Sequence, residues 1–347
     1  MNIEMLYKIY NNLQDEESKY LYELKIQEAI SGKYKNFIEG LATLNKKWNI
    51  SSYDDCTEKC KEKEVIVFGA GADGKMTLHL LNQKGIKVKY FCDNNYEKWN
   101  KEYLGIPVIS TQDVKIKHKD SLVILASQLY APVFYKQLVD SYFPRENIWY
   151  PRVGVLYATN GEQYFDCPSM KREDGEVFID CGCFDGETSK QFVQWCEGKY
   201  DRIIAFEPDK RNYEICQREC TDIRNFELYA SATGACKKKM KFNMGASGGS
   251  KIDENGFEEV YIDSIDDILQ GHKATFIKMD VEGAELDSLK GAEETIKKYK
   301  PKLAIAIYHK AEDIWEIPQF ILSCREDYKF YIRHYTSCNF ETVLYAL

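Results

Sequence analysis

The stretch VFIDCGCFDGE, residues 177–187, decides the fold. It opens on the apolar run Val177-Phe178-Ile179, which reads as a buried strand. Asp180 closes the run, Gly182 and Gly186 follow, and Glu187-Thr188-Ser189 can start a helix. A strand, a glycine turn and a helix N-terminus together form a ligand cradle. Glycine lets the backbone approach a ligand closely, and the free N–H groups of the first helical turn point at it. The next apolar run, Arg202-Ile203-Ile204-Ala205-Phe206, ends in Glu207-Pro208-Asp209. An acid at that place can accept hydrogen bonds from both hydroxyls of a ribose.

NAD and S-adenosylmethionine sites share this geometry, so the glycine spacing has to separate them. The dinucleotide fingerprint is G-x-G-x-x-G. Here the spacing is Asp180-x-Gly182-x-x-x-Gly186, with an acid inside the turn instead of a first glycine. That pattern resembles motif I of class I methyltransferases. S-adenosylmethionine has no pyrophosphate to cradle, and its ammonium gives an acid at position 180 something to hold.

Further along, residues 226–230 form a third apolar strand, which ends at Ser231. Residues 239–244 and 258–262 alternate like an inserted hairpin. Between them the run GASGGSK, residues 245–251, reads equally as a flexible linker or as a lid over the acceptor. Residues 275–285, TFIKMDVEGAE, give a strand ending in Asp280, then a helix whose early acids Glu282 and Glu285 suit its dipole. Residues 304–309, AIAIYH, are a fifth strand ending in His309. Residues 328–333 and 342–345 read as an antiparallel hairpin that completes the sheet.

The phrases FIDCGCFDGETS, AFEPDKRNYEIC, TFIKMDVEGAELDSLKGAEETI and IAIYHK, with the closing IRHYTSCNFETVLYA, resemble the FkbM family of S-adenosylmethionine-dependent methyltransferases. The resemblance covers about residues 170–347, and K-x-D-V-E-G-A-E is its most distinctive segment. It implies an α/β class I methyltransferase domain with a Rossmann-like seven-stranded sheet, S-adenosylmethionine as cofactor, and O-methylation, often of sugars or sugar-bearing products. Asp180, Gly182, Asp185, Gly186, Glu207 and Ser231 are the expected cofactor-binding residues. One departure is Phe184, where the family usually carries asparagine; Asp185 then has to stand in for the missing amide.

Open α/β sheets bind ligands at the carboxyl ends of their strands, near the switch in strand order. Asp180, Glu207, Asp280 and His309 all fall at that edge. Asp280, His309 and Glu282 are therefore the catalytic candidates, with Asp280 and His309 flanking an acceptor hydroxyl, one orienting it and one taking its proton. The bland rival for Asp280 is a helix N-cap. A divalent ion held by Asp280, Glu282 and His309 is chemically allowed, but no metal is assigned.

Ahead of this domain, residues 1–60 read as a helical extension, a packing or dimerising appendage with Gly32 as a helix stop. Residues 61–150 form a smaller Rossmann-like α/β unit. The strand Val65-Ile66-Val67-Phe68 leads into GAGADG, a full G-x-G-x-x-G at Gly69, Gly71 and Gly74, then a helix over 75–84. A second strand, residues 88–92, ends at Asp93, and further strands are expected at 105–108 and 122–126. The pattern resembles small nucleotide-sugar-binding domains. A glycine turn kept for packing and an NAD site are the other readings of the same residues. Residues 151–170, with Pro151, Gly154, Gly161 and Pro168, are the expected linker before the methyltransferase domain over 171–347. The runner-up for the whole chain is an NAD-dependent enzyme acting on a nucleotide sugar, with the C-terminal fold as a binding module.

The 347 residues leave room for two cores. A net charge of -8 argues against a nucleic-acid backbone as partner. No apolar run is long enough to cross a bilayer, and the start of the chain lacks the pattern of a signal peptide. The 12 cysteines, several of them inside apolar stretches, are expected to be free thiols, which suits a reducing cytoplasm. Cys56/Cys60 and Cys216/Cys220 lack the further ligands a zinc site needs.

Overall fold

A computed structural model describes residues 3–32, 37, 40–41, 51–127, 130–149, 163–243, 251–252, 258–335 and 340–347. Much of the expected linker, residues 151–162, and most of the glycine-serine loop, residues 245–250, lie outside the described residues. The chain divides into two units. Residues 1–37, 158–335 and 339–347 make one, and residues 38–157 with 336–338 make the other. The helical extension expected over 1–60 is thus shared between them.

In the smaller unit the strands are β1 (Val65–Phe68), β2 (Val88–Cys92), β3 (Glu102–Tyr103), β4 (Ile106–Ile109), β5 (Leu122–Leu125) and β6 (Ile148–Trp149). They lie in the order β3-β4-β2-β1-β5-β6, all pairing in parallel except β3 with β4. The sequences VIVF and LVIL put β1 and β5 at the centre, buried along their whole length, as parallel strands covered on both faces must be. The helix Ala72–Gln83 begins at Gly71, earlier than expected, because the glycine turn itself supplies its cap position.

In the larger unit the strands are β7 (Glu176–Cys181), β8 (Tyr200–Phe206), β9 (Phe226–Tyr229), β10 (Ser231–Thr233), β11 (Lys238–Asn243), β12 (Lys251–Ile252), β13 (Glu258–Asp263), β14 (Phe276–Met279), β15 (Lys302–Ala306), β16 (Phe330–His334) and β17 (Thr342–Ala346). Seven of them form one sheet in the order β16-β17-β15-β14-β7-β8-β9. The five from β15 to β9 run parallel, and β17 is antiparallel to both β15 and β16. The chain leaves β7 outward to β8 and β9, then returns to β14 on the other flank of β7. That reversal opens a crevice above the carboxyl ends of β7 and β14. The inserted hairpin appears as β11 against β13 in a separate four-stranded sheet. Under the main sheet, Phe178 of β7 stacks on Phe192 at 4.2 Å and meets Phe276 of β14 at 5.2 Å, so both strands are fixed from below.

The helix Glu16–Ser31 belongs to this unit. Asp15 caps it by accepting from the Ser18 N–H, and Gly32, in the left-handed region at φ 63, ends it as expected. Asp15 also pairs with Arg333 of β16 at 2.6 Å, and the Ile332 N–H donates to Ser18 Oγ at 2.9 Å. The helix is thus bolted to the edge strand.

Candidate active site

The turn after β7 is built for close approach. Gly182 sits at φ +74, and a Cβ there would stand 2.0 Å from the Asp280 carbonyl oxygen. Gly186, at φ +85, would put a Cβ 2.2 Å from Cys220 Sγ. Neither position accepts another residue without moving its neighbours. Phe184 adopts φ 52, a region asparagine tolerates well and phenylalanine poorly. Asp185 Oδ1 accepts from the Glu187 N–H at 3.1 Å, so it stabilises the start of the helix Glu187–Trp195.

Asp180 departs from the expectation that it holds the cofactor's ammonium. Its side chain is fully buried inside β7, which runs on past it to Cys181. Lys278 of β14, also buried, lies 3.2 Å from Asp180 Oδ1, and Ser189 donates to Oδ2 at 2.7 Å. The Lys278 ammonium also donates to the carbonyls of Cys181, at 3.2 Å, and Gly182, at 2.7 Å. Burial works against the lysine's charge, but Asp180 and Asp280 outweigh it and hold the group above its usual value. Asp180 therefore shapes the cradle through Lys278 and Ser189 rather than facing the ligand.

Glu207 follows β8 with 6% of its surface exposed. It accepts from the backbone N–H of Phe184 at 3.0 Å and of Asp209 at 2.8 Å. These bonds favour its charged form, but burial overrides them and pushes the carboxyl up to about 7. With the Asn212 side chain as a third donor, the carboxylate still has lone-pair capacity for a hydroxyl donor. Ser231, buried at the start of β10, has an Oγ with no hydrogen-bond partner among the described residues. A two-glycine cradle, a carboxylate with capacity for ribose hydroxyls and a buried hydroxyl without a partner fit S-adenosylmethionine.

Across the crevice, Asp280 stands directly after β14. It is not a helix cap, because the next helix, Glu285–Lys290, has Ala284 at its cap position. Asp280 Oδ2 accepts from the Tyr164 hydroxyl at 2.8 Å and Oδ1 from the Tyr308 hydroxyl at 3.1 Å. His309 lies beyond the end of β15, since the strand stops at Ala306. Its Nδ1 meets Glu285 Oε1 at 2.9 Å, and its Nε2 is 3.6 Å from both Asp280 Oδ1 and Glu282 Oε2. Burial disfavours the imidazolium, yet Glu285, Asp280 and Glu282 reverse this and raise its pKa to about 9. Glu282 sits at φ 56. Glu341 completes the group. It accepts from Gln163 at 2.6 Å and Tyr308 at 3.4 Å, and burial beside Asp280 lifts its carboxyl to about 7. Asp280, Glu285 and His309 bring one donor atom each within 4.8 Å of one another, a spacing a metal ion can also bridge.

Sequence reasoning missed Lys278, Tyr164, Tyr308, Glu285 as the partner of His309, and Glu341. Lys278 had a signal: a lysine inside a central apolar strand is buried from either face and must find a partner. The tyrosines and Glu341 had none, because their meeting with Asp280 depends on sheet order.

In the smaller unit Asp93 Oδ2 accepts from the Ala70 N–H and from Lys98 Nζ, both at 2.9 Å, and Oδ1 accepts from the Asn95 N–H at 2.8 Å. Gly69, at φ +118, and Gly74 are fixed by packing, with Cβ positions 2.6 Å from the Ala126 oxygen and 1.9 Å from the Gly69 oxygen. A Cβ on Gly71 would meet nothing within 4 Å among the described residues.

Comparison with known proteins agrees with this fold. Together these likenesses support an S-adenosylmethionine-dependent methyltransferase, and the larger unit has a class I methyltransferase fold. More narrowly, residues 180–340 match the family model of the methyltransferase FkbM domain. Residues 61–146 match the C2185-like N-terminal family. The solved FkbM methyltransferase of Methylobacillus flagellatus KT is 22% identical, over 82% of this chain and 90% of that one, with a TM-score of 0.53. An rRNA methylase of Streptococcus thermophilus is 14% identical over 50% of this chain and 87% of its own, with a TM-score of 0.34. Aeropyrum pernix fibrillarin, solved with natively bound S-adenosyl-L-methionine, is 9% identical over 56% of this chain and 73% of its own, with a TM-score of 0.35. No curated protein matches. The family match sets aside the reading of the C-terminal fold as a binding module of an NAD enzyme. Among the described residues, no helix is long and apolar enough to cross a membrane.

Proposed function

We propose that the protein transfers a methyl group to a hydroxyl of a sugar or glycan-related acceptor, as a step in carbohydrate biosynthesis. The observation that carries this reading is the convergence of Asp280, His309, Tyr164 and Tyr308 beside the glycine turn. When bound, S-adenosylmethionine supplies an electrophilic methyl on a sulfonium. Glu207, Gly182, Gly186 and Ser231 hold it, with Asp185 and Asp180 shaping the turn. The protein then has to align a weak nucleophile and receive its proton.

The two acceptor-side roles divide by charge. An imidazolium has no lone pair, so His309, held charged by its carboxylates, is not the base. Asp280 accepts the hydroxyl's proton, and Tyr164 and Tyr308 fix its carboxylate. His309 and Glu282 orient the acceptor around it. Asp280→Asn should lower kcat by about 10²–10⁴-fold and leave cofactor affinity unchanged in calorimetry. Loss of cofactor binding would move Asp280 into the cofactor pocket. Activity abolished by chelator and restored by magnesium would instead make Asp280 and His309 metal ligands.

For the smaller unit we propose a nucleotide-sugar site at the turn Gly69–Gly71–Gly74. Its support is Gly71, which neither packing nor backbone conformation requires to be glycine. Asp93 does not contribute a free carboxylate there, since Ala70, Asn95 and Lys98 engage it.

A further inference from the structure

We propose that Asp280, Tyr308 and Glu341 form a proton relay, in which the proton that Asp280 takes from the acceptor passes through the Tyr308 hydroxyl to Glu341. This rests on the reading of Asp280 as the base. All three residues belong to the larger unit.

The contrast between two tyrosines carries the inference. The Tyr164 hydroxyl donates to Asp280 Oδ2 at 2.8 Å, and no second carboxylate accepts from it among the described residues. The Tyr308 hydroxyl lies between two carboxylates, 3.1 Å from Asp280 Oδ1 and 3.4 Å from Glu341 Oε1. A phenol has one proton to give and a lone pair to receive another. At rest the nearer Asp280 takes the donation. Once protonated, Asp280 has its own proton to donate, and the phenol is released to turn to Glu341. Burial and the two carboxylates hold the Tyr308 hydroxyl well above its ordinary pKa. It therefore conducts by exchanging one proton for another and stays neutral throughout.

The far end of the relay is placed to receive. Gln163 donates to Glu341 Oε2 at 2.6 Å, which leaves Oε1 to Tyr308. The Tyr335 N–H donates to the Glu341 carbonyl at 3.0 Å and pins the residue just before β17. The charged and titratable groups around Glu341 are Asp280, Tyr308, His309 and Tyr164. Burial and Asp280 lift its carboxyl to about 7 against Gln163, His309 and Tyr308, so near neutral pH it can take a proton and release it again. His309 is closed to this route, because it is already charged. The relay moves protons only. The acceptor O–H bond breaks and Asp280 Oδ1 gains the proton. Asp280 then passes it to the Tyr308 oxygen while the phenol's own proton goes to Glu341 Oε1. Asp280 is a carboxylate again with the product still in place.

The test uses the full chain, saturating S-adenosylmethionine and a panel of methyl glycosides as acceptors: a neutral hexoside, a deoxyhexoside and a uronide. Release of S-adenosylhomocysteine gives kcat, and saturation keeps the ionisation of Glu207 out of it. Glu341 receives a proton only as a carboxylate, so kcat of the parent is expected to rise as pH climbs through about 7 and to level off above it. Glu341→Gln is expected to lower kcat about tenfold at pH ~8 and to flatten that rise, with acceptor KM and cofactor affinity unchanged. Added imidazole should restore its rate in proportion to concentration and leave the parent's rate alone, because a free base takes the proton in place of Glu341. Tyr308→Phe keeps the ring and both carboxylates and removes only the link. It is expected to show the same loss and the same rescue, and it carries the test if Glu341→Gln fails to fold. A slow Glu341→Gln whose rate ignores imidazole and still follows the parent's pH profile would make Glu341 structural and overturn the relay. Parent rates in both variants, beside an Asp280→Asn that loses about 10²–10⁴-fold, would overturn the relay and leave Asp280 as the base. A parent rate in Asp280→Asn would overturn both.

Discussion

The two glycine turns of this chain look alike on paper and differ in electrostatics. Each follows a buried parallel strand, opens a helix, and faces an acid at the end of the next strand. In the smaller unit the acid is Asp93, and Lys98 neutralises it at 2.9 Å while two backbone N–H groups complete its shell. In the larger unit the acid is Glu207, which receives two backbone N–H groups and the Asn212 side chain but has no cation among the described residues. Burial accordingly drives its carboxyl up to about 7. One carboxylate has a neutralising cation, and the other has only neutral donors. On the function proposed above, the first acid serves the fold and the second serves the cofactor.

The largest effect should come from removing the acid that has only neutral donors. Charge-assisted hydrogen bonds contribute about 1.5–3 kcal/mol each. Glu207→Ala should therefore weaken S-adenosylmethionine binding at least tenfold in calorimetry, while circular dichroism reports an intact fold. Asp93→Ala should leave that affinity unchanged and destabilise the smaller unit instead, because it removes the ion pair with Lys98 and leaves the Ala70 N–H without its acceptor. Equal effects of the two substitutions on cofactor affinity would erase the distinction.

A smaller effect should follow from pH. Ribose hydroxyls donate to the carboxylate, so binding favours ionised Glu207 and lowers its pKa in the complex. Affinity should then rise as pH climbs through about 7 and level off above it. A move from pH ~6 to pH ~8 should tighten binding by about tenfold, the ratio of ionised fractions in the free protein. Stability of the free protein runs the other way. An acid whose folded pKa is raised favours the folded state most below its unfolded value, and this contribution is lost as pH rises towards about 7. Affinity that is flat across this range, or that falls, would show that Glu207 does not receive the ribose.

These contrasts also mark what the sequence made legible. The strands and both glycine turns were readable because an apolar run followed by glycine has few structural meanings. The seven-stranded sheet followed from resemblance to a family, and no local pattern revealed its order. Side-chain partners were hidden wherever they come from distant strands. Asp180 was assigned to the ligand because Lys278, its actual partner, lies on a strand whose adjacency to β7 is a property of topology. The division of roles between Asp280 and His309 is open in the sequence for the same reason: the charge of His309 is set by Glu285, which in sequence is an ordinary first-turn acid. Positions forced by local backbone geometry were the readable ones. Positions set by a non-local electrostatic partner were not.

The smallest expected effect probes the comparison from the other side. Within the smaller unit's turn, Gly74→Ala would drive a Cβ to 1.9 Å from the Gly69 oxygen, so the melting temperature should drop. Gly71→Ala meets nothing within 4 Å and keeps an ordinary extended φ of -138°, so stability should stay within about 0.5 kcal/mol of the parent. A glycine that the fold does not need is then explained by close approach of a ligand. The bulkier Gly71→Val should preserve folding and abolish any thermal shift given by a UDP-linked sugar. If Gly71→Ala destabilises as much as Gly74→Ala, the residue serves packing like its neighbours. The smaller unit's turn is then structural throughout, and ligand binding belongs to the turn beside Glu207.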